Sequence, residues 1–277
     1  MAGSLSRKEI DGYKKNGYVF PVRAMSSRQA LRYADDLESY EISSGGVISG
    51  NRRHKVHLLF TWANEIVRNA RILDAVESII GPNIICWTTN YFIKEPMDSA
   101  FVSWHQDSTY WGLEPPEIIT AWLALSDVGF DSGPMKFLSG SHTSLQISHT
   151  DTFSEDNLLT RGQEIDIDVD ETKTIDVVLK AGEFSLHHVR LVHGSHPNDS
   201  TTRRIGLAIR YIPTHVRQTK VRDSAMLVRG QDDYGHFDPE PSPKRNLDAD
   251  AIDAHENAMK RQIAALYEGT QRTTMRR

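Results

Sequence analysis

The chain has 277 residues, 39% apolar and 25% charged, with a formal net charge of −5. That composition suits a globular protein with one sizeable core, and the acidic balance excludes a general attraction to nucleic acid or to an anionic membrane surface. A single cysteine, Cys86, excludes an intramolecular disulfide and a multi-cysteine zinc site and fits a reducing, cytoplasmic setting.

The first stretch, MAGSLSRKEIDGYKKNGYVF, has no apolar run behind its positive charges, so no signal peptide is expected. It reads as a helix with Ser6 as N-cap and Gly17 as stop. A second helix follows in SSRQALRYADDLESYEIS, its apolar face made by Ala30, Leu31, Ala34 and Leu37. Residues 62–80 read as a third, closed by Gly81-Pro82. The character then changes. NIICWTTNYFIKE, FVSWHQD, IITAWLALSDV, PMKFLSGS, IDVVLKAGEFSLHHV and RRIGLAIRYIPT are rich in β-branched and aromatic residues and are separated by turns. Short strands at this spacing predict an antiparallel sandwich or barrel. The tail LDADAIDAHENAMKRQIAALYEG returns to helix. No segment approaches the roughly 20 apolar residues that cross a bilayer, and no repeat is visible. The expectation is a single α+β domain over 1–277, with a helical front (1–82), a β core (83–215) and a C-terminal cover and helix (216–277).

Three His-x-Asp triplets occur, at His105-Gln106-Asp107, His149-Thr150-Asp151 and His236-Phe237-Asp238. In a chain with 12 histidines, such matches arise by chance. Residues two apart on a strand face the same side of a sheet and can reach one ion. His105 and Asp107 end a strand-like run. The other two triplets sit in polar, proline-flanked stretches that read as exposed loops. A redox-active ferrous site commonly takes two histidines and one carboxylate on one face. His187, His188, His193 and His196 are the downstream candidates for the third ligand, and spacing favours His193 only slightly. His187 and His188, being neighbours on a strand, must point to opposite faces. Trp104 alternates away from the ligand face and is expected in the core.

The ordered blocks WHQDSTYWGL, AWLALSDVGFDSGPMKFLSGSH and LVHGSHPNDSTTRR resemble the phytanoyl-CoA dioxygenase family. The resemblance spans roughly residues 86–213, and the family consists of non-haem iron(II)- and 2-oxoglutarate-dependent oxygenases. It implies a double-stranded β-helix (jelly roll, cupin-like) flanked by helices. It implies Fe(II) held by His105, Asp107 and His193, with 2-oxoglutarate and O2 as co-substrates. Arg204, eleven residues after His193, matches the arginine that takes the distal carboxylate of 2-oxoglutarate, and Ser195 matches its hydrogen-bonding partner. Asn90 and Trp122 match positions lining the co-substrate pocket. Lys55 matches a lysine that touches 2-oxoglutarate in some members. Arg203 adjoins Arg204, but only one of the two can point inward, and the spacing favours Arg204.

The implied reaction is hydroxylation of an unactivated C–H bond in a small polar metabolite, an aminophosphonate or another zwitterion among the candidates. Tyr110, Trp111 and Arg161 are the candidate substrate contacts, and Arg229 is a further cation able to hold an anion. Desaturation or cyclisation in secondary metabolism is an alternative outcome. A halogenase is disfavoured by Asp107, since halogenating relatives carry a small residue there. A non-catalytic jelly-roll binding protein is disfavoured by the complete ligand set. No nucleic-acid or membrane partner is expected, and the oligomeric state stays open.

Overall fold

The computed structural model describes residues 5–268. Helix α1 (Arg7–Asn16) starts at a capping box in which Ser6 and Glu9 satisfy each other's backbone groups, and it stops at Gly17, whose φ of 86° is left-handed. Strand β1 (Tyr18–Arg23) and helix α2 (Ser27–Ser44) follow. The helix expected over 62–80 is two helices, α3 (Thr61–Val67) and α4 (Ala70–Ile80). Asn69 makes the break, because its side chain caps the amides of Arg71 and Ile72 and starts a new helix.

The strands are β2 (Ile84–Lys94), β3 (Val102–His105), β4 (Leu113–Glu114), β5 (Ile119–Ala124), β6 (Met135–Leu138), β7 (His149–Asp151) and β8 (Gln163–Ile165). They continue with β9 (Thr174–Val177), β10 (Glu183–His188), β11 (His193–Ser195), β12 (Arg204–Pro213), β13 (Arg217–Gln218), β14 (Ser224–Arg229) and β15 (Asp238–Pro239). Helix α5 (Ala249–Leu266) closes the described chain. Among the described residues no helix is long and apolar enough to cross a membrane.

Seven strands form one sheet in the order β1-β10-β5-β12-β2-β14-β15, and four form another in the order β3-β11-β6-β9. Apart from the parallel β14–β15 edge, every pairing in the two is antiparallel. Every residue of β12 is buried, because both faces of that strand are covered. Ile205, Leu207, Ile209 and Tyr211 pack with the front helices in one large core. Arg204, Ala208 and Arg210, on the opposite alternation, line a cavity that the smaller sheet closes with His105, Met135 and His193. Gly206 shares this inner face. A Cβ there would lie 1.8 Å from the Trp122 indole, so only glycine lets that ring cross β12.

Candidate active site

Strand pairing builds the metal-binding group. His193 on β11 is the register partner of His105 on β3, and their rings stand 4.1 Å apart. Asp107 follows where β3 ends, its amide held by the Val189 carbonyl. One ligand atom from each of His105, Asp107 and His193 lies within 4.8 Å of the others, and all three residues are buried. Each imidazole is pre-set. His105 Nδ1 is 2.9 Å from the Ser103 carbonyl, and His193 Nδ1 is 2.9 Å from the Leu191 carbonyl. A carbonyl only accepts, so both Nδ1 atoms carry the proton and both Nε2 lone pairs face the gap between the ligands. Burial pushes Asp107 up, but Arg210 beside it outweighs that and holds it well below the usual carboxylate range. Burial and the adjacent His105 and His187 keep His193 far below the usual histidine range, hence neutral and able to ligate. An ionised carboxylate and two imidazoles are the donor set that iron(II) takes.

Beside the triad stands His187, whose ring nitrogens have no partner among the described residues. Its Nε2 is 4.0 Å from Asp107 Oδ2, and burial brings its pKa down to about 3. His188 faces the other way, as alternation requires, and accepts from the Arg190 amide. The polar triplet at His149 is no exposed loop. It forms β7, and His149 Nε2 accepts from the Gln106 amide behind the site. Asp238 of the third triplet is spent on Arg222 and Arg261.

The same cavity runs from the triad to Arg204, Ser195 and Trp122. Arg204 is 1% exposed; it donates through Nη1 to the Gly133 carbonyl, and its Nε has no partner among the described residues. Its guanidinium lies 5.4 Å from the Trp122 ring. Arg203 points outward to Glu38, Glu41 and Glu95, as expected. The lysine at this end is Lys94, which the sequence reading missed. Its Nζ is 2.8 Å from Ser195 Oγ and also reaches the His196 carbonyl. Burial, then the nearby Arg204, lower its pKa to about 6. Neither cation has a carboxylate within ion-pair distance among the described residues. A buried guanidinium without a counter-charge is costly, and at Lys94 the same cost shows as the lowered pKa of the amine.

A second cavity shares Phe92, Asp107 and Arg210 with the first and opens toward Trp87, Trp111 and Gln262. Asn90 lines it and accepts from Arg210 Nη1. Asn90 therefore sits on the far side of the triad from Arg204, not along the Arg204 end.

Several expected contacts are placed elsewhere. Lys55 donates to the Trp87 carbonyl at 2.7 Å, the Ser224 carbonyl at 3.0 Å and Glu240 at 2.7 Å, and lines neither cavity. Arg161 and Tyr110 are spent on each other. The guanidinium lies 3.9 Å from the Tyr110 ring, and Asp151 takes both the Arg161 Nε and the Tyr110 hydroxyl at 2.7 Å. Trp111 does line the second cavity, packed on Trp87 at 5.0 Å. Arg229 is paired with Asp74 and Glu77. Trp104 is only half-buried and faces an outer groove.

Residues 13–206 match the family model described as phytanoyl-CoA dioxygenase. A probable alpha-ketoglutarate-dependent hypophosphite dioxygenase of Stutzerimonas stutzeri is 27% identical over 218 residues, 72% of this chain and 76% of the relative. A solved non-heme monooxygenase, ThoJ in its apo form, is 34% identical with a TM-score of 0.82, covering 93% of this chain and 96% of its own. CytC3 with Fe(II) and alpha-ketoglutarate, at 23% identity, shares the fold with a TM-score of 0.68 over 88% of this chain and 96% of its own.

Proposed function

The chain belongs to the phytanoyl-CoA dioxygenase family and is an iron(II)- and 2-oxoglutarate-dependent dioxygenase; from that premise we propose that it hydroxylates an unactivated C–H bond of a small polar metabolite, with His105, Asp107 and His193 as the iron ligands. The convergence of those three buried side chains, with both imidazole tautomers fixed by backbone carbonyls, carries the reading. Iron, when bound, supplies the redox chemistry by which R–H, O2 and 2-oxoglutarate become R–OH, succinate and CO2.

The protein's part is to hold, orient and exclude water. Arg204 takes the distal carboxylate of 2-oxoglutarate through a planar fork that a lysine lacks. Ser195 and Lys94 complete that end, Lys94 donating to the Ser195 oxygen so that the hydroxyl proton is left for the co-substrate. Trp122 walls the slot between. The substrate enters the second cavity, on the Asp107 side, under residues 158–160 and helix α5. We read the two facing sheets as a double-stranded β-helix within one domain. Asp107 stands at the ligand position, which favours hydroxylation over halogenation.

The test is anaerobic titration of 2-oxoglutarate into the iron(II) protein, following the charge-transfer band, then oxygen with 2-oxoglutarate consumption. His105→Ala, Asp107→Ala and His193→Ala each lose iron and turnover, while His149→Ala and His236→Ala keep iron. Loss of iron from His149→Ala with retention in His105→Ala would sink the assignment of the ligands. A chlorinated product from the native chain in chloride would sink hydroxylation.

A further inference from the structure

Arg210 is a guanidinium with 6% exposure at the junction of the two cavities. Asn90 anchors its Nη1, and its Nε has no hydrogen-bond partner among the described residues. The face of Trp111 lies 5.4 Å away and that of Phe92 5.7 Å away, so the fork is held between two rings. Asp107 is its one carboxylate within ion-pair distance among the described residues, at 3.9 Å.

That carboxylate has other work. In the iron(II) reading above, on which this inference rests, the two positive charges of the metal are met by Asp107 and by the chelating carboxylate of 2-oxoglutarate. The distal carboxylate is met at the Arg204 end. The charge of Arg210 is then left unanswered, facing the second cavity. The other groups there do not answer it. His54 is neutral, since burial, Arg53 and Arg210 lower it to about 3. Thr88, Gln163 and Gln262 are uncharged hydrogen-bonding groups. A buried guanidinium offered to a cavity without a counter-charge selects an oxyanion.

We infer that the substrate of this enzyme carries an oxyanion, a carboxylate or a phosphonate, and that Arg210, held by Asn90, is the residue that binds it. The acid group seats beside the triad between Trp111 and Phe92, and the remainder of the molecule extends toward Trp87 and Gln262. A cationic or wholly apolar substrate is excluded by the same charge.

The experiment uses the anaerobic iron(II) protein saturated with 2-oxoglutarate. Acetate and methylphosphonate are titrated in, with acetamide and tetramethylammonium as neutral and cationic counterparts. Paramagnetic broadening of each probe's methyl protons by the iron is read by NMR. Both anions are expected to broaden in the native chain, and acetamide and tetramethylammonium are not. Arg210→Gln cuts the anion broadening at least tenfold and Arg210→Lys about threefold, with the 2-oxoglutarate midpoint within threefold of native in both. Broadening of acetamide or tetramethylammonium equal to that of the anions overturns the inference. So does anion broadening that survives in Arg210→Gln. Loss of iron or of 2-oxoglutarate in both variants overturns it too, assigning Arg210 to Asp107 or to the co-substrate. A normal charge-transfer band without anion broadening in the native chain sinks this inference alone. Absence of the band sinks the metal-site reading beneath it.

Discussion

Two lysines, Lys55 and Lys94, are wholly buried in this protein, and they are opposites. Lys55 gives its protons to two backbone carbonyls and to Glu240, which His57 also contacts at 3.0 Å. Burial pushes its pKa down, but the opposing Glu240 and Asp223 charges outweigh burial and leave it above the ordinary value. Lys94 has backbone carbonyls and a hydroxyl but no carboxylate within ion-pair distance among the described residues, beside a second buried cation. A charge that is fully answered by the protein ties strands together. An amine whose charge is not answered by the protein gives up its proton more readily.

The comparison breaks first at Glu240. Glu240→Ala strands the Lys55 charge, and we expect a loss of roughly 3–5 kcal/mol in urea unfolding. Lys94→Met should cost less than about 1 kcal/mol, since it removes hydrogen bonds but also a desolvated amine. Equal losses would mean that the two lysines are the same kind of residue.

Arg204→Lys keeps a cation and loses the fork, so the 2-oxoglutarate dissociation constant should rise at least tenfold, about 1.4 kcal/mol or more. Titration of the anaerobic iron(II) protein reads it, and iron affinity should hold. Lys94→Met should weaken 2-oxoglutarate by about tenfold, with no matching loss of stability.

Acidity sharpens the contrast further. Free Lys94 has a pKa of about 6, lowered by burial and then by Arg204. A bound carboxylate favours the ammonium form, so above pH 6 binding takes up a proton. Affinity for 2-oxoglutarate therefore falls as pH rises above about 6, by up to about tenfold per pH unit, until the pKa of the complex is passed. Calorimetry in buffers of different ionisation enthalpy measures the uptake, and Lys94→Met abolishes it. The smallest effect belongs to Arg203→Ala. Its guanidinium lies on the outer face against Glu41 and Glu95. We expect a change in 2-oxoglutarate affinity under about twofold and a stability loss of about 1 kcal/mol.

Much of this was legible from alternation. The opposed faces of His187 and His188, and the rule that only one of Arg203 and Arg204 points inward, follow from a period of two; the choice of Arg204 rests on its spacing from His193, and Asp107 lies in a 3-10 turn just past β3, not on the strand. Lys94 was equally legible, because Asn90, Phe92 and Lys94 share one alternation on β2, but nothing local marked its neighbours as cations. Lys55 stands out only through the family resemblance. Its fate depends on Ser224 and Glu240, more than 160 residues away in sequence, and no local pattern reports that. Tyr110 and Arg161 look like free recognition groups until the fold brings Asp151 between them. The His149 stretch is polar, as a solvated loop would be, but its polar groups are satisfied by others, as Gln106 shows.

Gly206 has a consequence for which molecules the enzyme accepts as co-substrate. With the Trp122 ring where a Cβ at 206 would stand, the indole is seated against bare backbone and cannot slide along β12. On the proposed reading, in which Arg204 takes the distal carboxylate, the span from the triad to Arg204 is then set by main chain, and 2-oxoadipate, one methylene longer than 2-oxoglutarate, should bind about tenfold more weakly in the anaerobic titration. Even Gly206→Ala would push the indole off its seat, and the enzyme would lose its ruler before it lost its iron.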